Sequence, residues 1–65
     1  MTPTTPRAWE EEIAYAQRTL HTKDYSQHGY DPRSFQQYIS NLAAAAEQAG
    51  HKEYKRKLRR IASIA

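Results

Sequence analysis

Five cationic side chains, Lys52, Lys55, Arg56, Arg59 and Arg60, crowd into the last stretch of this sequence. Each lies three or four residues from another of the set (52 to 55 and 56, 55 to 59, 56 to 59 and 60), so on a helix they share one face. Side by side, such charges repel one another unless a counter-charge is supplied. Phosphate groups supply one, and arginine adds a bidentate geometry that fits them. The chemistry this pattern suits is capture of a polyanion, not the making or breaking of bonds. The distribution of charge sharpens the point. Residues 51–65 carry Lys52, Lys55, Arg56, Lys57, Arg59 and Arg60 against Glu53, a balance of +5, while residues 1–24 and 25–50 each balance to −1. The overall +3 therefore belongs to one segment, and asymmetry of this kind points to a polyanionic or acidic partner. Two plainer accounts compete: a solvated helix face whose cations suit a helix C-terminus, and neutralisation within the fold by Glu10, Glu11 and Glu12.

Other reactive residue types form no set. His21, His28 and His51 are the only candidates for a metal site, but no two have the i, i+4 spacing of helical ligands and no carboxylate completes a pattern. No metal and no cofactor is expected. There is no cysteine, so a disulfide framework and a thiolate site are both out of reach. No nucleophile–base pair, carboxylate pair or phosphate-cradling glycine loop is evident, so catalytic residues are not assigned and an enzyme is not expected. Arg59-Arg60-Ile61-Ala62-Ser63 resembles a basophilic kinase site, a motif short enough to arise by chance in any basic helix.

The positioning elements are helices. Asp31 reads as an N-cap with Pro32 at the first helical position, where a missing N–H costs nothing. Tyr30 and Phe35 then have the spacing of a hydrophobic staple. Phe35, Tyr38, Ile39, Leu42, Ala46 and Ala49 continue as an apolar stripe, widened by Ala43 and Ala45, and Gly50 is the expected left-handed stop. The opposite face, with Gln36, Gln37, Ser40, Asn41, Ala44, Glu47 and Gln48, is nearly neutral. Thr5-Pro6 repeats the same start signal, and Thr5–Trp9 (TPRAW) matches Asp31–Phe35 (DPRSF) position by position, two helices using one capping rule. Trp9, Ile13, Ala16 and Leu20 line the first helix. After Gly50, a third helix carries Tyr54, Leu58, Ile61 and Ala65 as its stripe, flanked by Ala62 and Ile64.

These signals predict an all-α, small three-helix bundle with helices over about 6–22, 32–49 and 52–64, in one domain spanning 5–65 behind a disordered tail at 1–4. The connection over 23–30 holds Tyr25 and His28 with no packing role assigned, and Tyr15 lies off the first helix's stripe. Ala46 and Gly50 have the spacing of a helix-turn-helix. However, the inward positions after the turn would then be Arg56 and Arg59, which disfavours a standard recognition helix. The leading expectation is a small regulatory protein that contacts nucleic acid through the backbone, using Lys52, Lys55, Arg56, Arg59 and Arg60. The alternative is an interaction module or inhibitor docking on an acidic protein surface, with Tyr15, Tyr25 and His28 as aromatic anchors. In size the chain resembles many small regulators of phages and plasmids. No apolar run or cleavage pattern opens the sequence and none is long enough to span a bilayer. The expectation is a cytoplasmic protein without membrane contact, a monomer or weak homodimer.

Overall fold

A computed structural model describes residues 4–64. Three helices, α1 (Pro6–Thr22), α2 (Pro32–Gln48) and α3 (Lys52–Ile64), form the expected bundle, with a single 3₁₀ turn at Ser26–His28 between the first two. The tail expected over 1–4 and the Ala65 end of the third stripe fall largely outside the described residues.

Both proline-led starts form as the sequence dictates. The Thr5 hydroxyl accepts from the Ala8 N–H at 3.1 Å, and the Asp31 carboxylate accepts from the Arg33 N–H at 3.0 Å. The shared cap-Pro-Arg-x-aromatic pattern thereby sets Trp9 and Phe35 at equivalent positions, and both are fully buried. At the other end of α2, Gly50 takes a left-handed φ of 81°. Its N–H donates to the Glu47 carbonyl and the His51 N–H to the Ala46 carbonyl, a Schellman stop that satisfies two carbonyls the helix would leave unpaired. The chain then turns directly into α3, so α2 and α3 form a tight antiparallel hairpin. The side-chain amide of Gln36, near the start of α2, donates to the Ala62 carbonyl, near the end of α3, at 3.0 Å.

The core is Trp9, Ile13 and Ala16 from α1, Phe35, Ile39, Leu42, Ala43 and Ala46 from α2, and Leu58, Ile61 and Ala62 from α3. Trp9 joins the first helix to the start of the third, stacking on Tyr54 with ring centroids 5.9 Å apart and tilting against His51 at 5.6 Å. Thr19 is buried as well, which extends the α1 stripe by a position with no apolar signature.

Three stripe assignments need correction. Ala49 is exposed because it is the residue that caps α2. Ile64 is 63% exposed, since it lies off the Leu58–Ile61–Ala62 face. Tyr30 is not a staple: its side chain is 80% exposed. It sits at a left-handed φ of 58°, held by its own N–H donating to the Tyr25 carbonyl at 2.9 Å, and this backbone turn aims the ring away from Phe35. Tyr25 and His28 cover Phe35 instead, at centroid distances of 5.4 Å and 5.3 Å.

Candidate nucleic-acid interface

The α3 helix separates its faces sharply. Leu58, Ile61 and Ala62 are buried, Tyr54 is half-buried, and Lys52, Arg56, Arg59 and Arg60 are exposed. Lys52, Lys55, Arg56 and Arg59 together line one shallow depression. Their i, i+3, i+4, i+7 spacing makes a single row along the helix. Arg60 is exposed beside this row and does not line the depression. Lys57, at the margin of the apolar stripe, is also exposed.

Glu47 supplies a carboxylate on this arc that the third helix's own sequence lacks. From α2 its Oε1 lies 3.0 Å from Lys55 Nζ, with the two side chains 62% and 27% exposed. Two of the three first-helix acids offered for this role are occupied elsewhere. Glu11 pairs with Arg7 at 3.5 Å, and Glu12 accepts a hydrogen bond from Tyr38 at 2.6 Å. Among the described residues, no carboxylate lies within ion-pair distance of Lys52, Arg56, Arg59 or Arg60. Both Glu47 and Lys55 flank Gly50 closely, and opposite charges across a tight helical hairpin were the available sequence signal for the pair.

The depression continues into a groove between α2 and α3. Ala43 and Ala62 line its base, Ser40 and Glu47 belong to one wall, and Lys55 and Arg59 to the other. Small residues at the base let the helices approach closely, which leaves the longer polar side chains standing as rims.

The aromatic candidates lie in a different place. Tyr15, His28 and Tyr38 form a cluster between α1, the 3₁₀ turn and α2, with Gln27 and Glu12 at its edge and nothing from α3. Tyr15 Oη is 2.7 Å from His28 Nε2, and the Tyr15 and Tyr38 rings meet edge to face. Tyr15, Tyr25 and His28 are each half-buried and engaged with their own domain. Of the three histidines, His21 is exposed, His28 packs on Tyr38 and Phe35, and His51 packs on Trp9 and Tyr54. No group of three metal-ligating side chains forms among the described residues. Nor is any described helix long and apolar enough to cross a membrane.

The Tyr38 phenol is pushed well above its ordinary value by burial, then by the hydrogen bond to Glu12 and the negative charge of that carboxylate, with Tyr15 adding to the effect. The sign for stability follows from linkage. A folded-state value above the unfolded one, near 10, leaves Tyr38's contribution intact below about pH 10. It is lost as pH rises beyond that, where the unfolded chain ionises and the folded one does not. Tyr38→Phe should therefore remove part of the alkaline decline. Thermal melts between about pH 8 and pH 11 should show the wild type more stable at the low end and the two curves converging above pH 10. Parallel curves would mean that the phenol ionises as freely in the fold as out of it.

No family model, curated protein or solved structure matches the chain. What defines it is the class its geometry sets: a small all-α three-helix bundle with one cationic helix face.

Proposed function

We propose that this domain is a small regulatory protein that binds nucleic acid through backbone contacts made by α3. The observation that carries the reading is the row Lys52, Lys55, Arg56 and Arg59 in one depression, three of its four cations having no carboxylate partner among the described residues. The helix fixes the spacing of these residues, so the ordering that opposes binding is confined to their side chains. Phosphates would neutralise them and release condensed counterions. Such contacts position a protein on the polymer without reading its bases. Arg56 and Arg59 point outward where a standard recognition helix would bury apolar residues, so a backbone-led mode fits better than base readout. The competing reading, an interaction module or inhibitor on an acidic protein surface, relies on Tyr15, Tyr25 and His28 as anchors. Those rings are committed to packing on Phe35 and Tyr38, which favours the nucleic-acid reading.

The test is fluorescence anisotropy of a labelled random-sequence duplex titrated with the wild-type protein. Measurable affinity is expected at about 50 mM salt, falling steeply by about 200 mM as counterion release weakens. Absence of binding at the lower salt would reject this function and leave the acidic-protein reading in its place.

A further inference from the structure

We infer that Glu47 is an intramolecular stand-in for a phosphate: in the free protein it holds Lys55, and a nucleic-acid backbone that enters the α2–α3 groove displaces it. The inference rests on the nucleic-acid reading above and specifies how that same site is regulated.

Lys55 belongs to two surfaces at once. It lines the cationic depression with Lys52, Arg56 and Arg59, and it lines the groove with Ser40, Glu47 and Arg59. The track of positive charge therefore turns off the helix face and runs into the groove, with Arg59 also common to both. The Ser40 and Ser63 hydroxyls at the groove are neutral donors of the kind that often complete a phosphate contact. Among the described residues Glu47 is the one acid in the lining, and its carboxylate sits on Lys55 at 3.0 Å, where a phosphate oxygen would otherwise sit.

The pair is well suited to exchange. The carboxylate is 62% exposed, so water screens its attraction and the contact is weak. A polyanion offers the same lysine a stronger field, and Arg59 stands beside Lys55 on the same wall to reinforce its hold. Glu47 thus lowers affinity by occupying one contact and by repelling the incoming backbone.

A double-mutant cycle tests this with the same random-sequence duplex. Glu47→Gln is expected to tighten binding about fivefold at low salt, the size of one close charge interaction in water. The slope of log affinity against log salt should stay nearly unchanged, because displacement of Glu47 leaves Lys55 on a phosphate in the wild-type complex as well. Lys55→Gln should weaken binding in both backgrounds, but less in the wild type, where the ion pair with Glu47 must be broken before the lysine meets a phosphate, than in the Glu47→Gln background. Glu53→Gln removes an equal charge from exposed α3 surface and should tighten binding without that coupling. For the groove itself, Ala44→Glu adds an acid to its lining and should weaken binding more than Ala14→Glu, on an exposed position of α1.

If Lys55→Gln costs the same in both backgrounds, and Glu53→Gln matches Glu47→Gln, then Glu47 acts only as diffuse charge and the inference is overturned. Binding by the wild type in that case leaves the proposed function standing. Failure of every variant to bind at about 50 mM salt removes the function and this inference together. Circular dichroism of each variant checks the fold, which should hold because the positions substituted are exposed or, for Lys55, only partly covered.

Discussion

Trp9→Ala should abolish the cooperative thermal melt of this domain. Trp9 is 1% exposed and touches His51 and Tyr54 where α3 begins, so it fastens α1 onto the α2–α3 hairpin. Truncating a buried tryptophan to alanine costs about 3–5 kcal/mol through lost transfer energy and the cavity left behind. At about 0.05–0.15 kcal/mol per residue, a chain of this length has only about 3–10 kcal/mol in total. The loss is therefore comparable to the whole stability. Melts followed by far-ultraviolet circular dichroism should show a broad, low-temperature decline, with Trp9→Phe intermediate because much of the ring volume is kept. A Trp9→Ala variant melting within a few degrees of the wild type would mean that α1 docks by other contacts and that the hairpin is stable without it.

The contrast between Trp9 and Tyr25 shows which parts of this fold can be read from the sequence. Trp9 and Phe35 follow cap and proline at the same interval, and every interaction that fixes that interval lies within five residues. The α2 stop at Gly50 is equally local. Helix number, helix limits and most of the core were legible for this reason. The cover over Phe35 was not. Tyr30 stands at the staple position, but the left-handed turn at Gly29 and Tyr30 sends that ring to solvent and brings Tyr25 and His28 in. The outcome depends on how the whole 23–30 connection folds back on α2, which no short-range pattern specifies.

The candidate site divides in the same way. The row of cations on α3 follows from helical periodicity alone. Its counter-charge does not, because the meeting of Glu47 with Lys55 depends on the register of two helices across the Gly50 turn. Judged within α2, Glu47 looks like a solitary acid on a neutral face. Tyr15 is similar: it lies off the stripe of its own helix, and its partners come from the 3₁₀ turn and α2.

Replacing both Arg56 and Arg59 with alanine should produce the largest change in binding of any pair on the surface. Both are exposed, both line the depression, and neither has an acidic partner among the described residues. Their charges are therefore fully available to a ligand. If each contacts a phosphate, their removal should flatten the slope of log affinity against log salt by about 1.8, roughly 0.9 for each lost contact. The accompanying loss of affinity at low salt should be about tenfold or more, since a single charge-assisted hydrogen bond is worth about 1.5 kcal/mol or more. Unrelated duplex sequences should lose affinity alike, because backbone contacts carry no base information. The fold should survive, as both side chains project away from Leu58 and Ile61. A second double variant, Lys23→Ala with Lys57→Ala, removes the same net charge from exposed positions outside the row and provides the comparison. If that pair weakens binding as much as the arginine pair, affinity follows overall charge and the row on α3 has no special part in it. A clear excess for Arg56 and Arg59, carried by the salt slope, would locate the phosphate contacts on this one helix face.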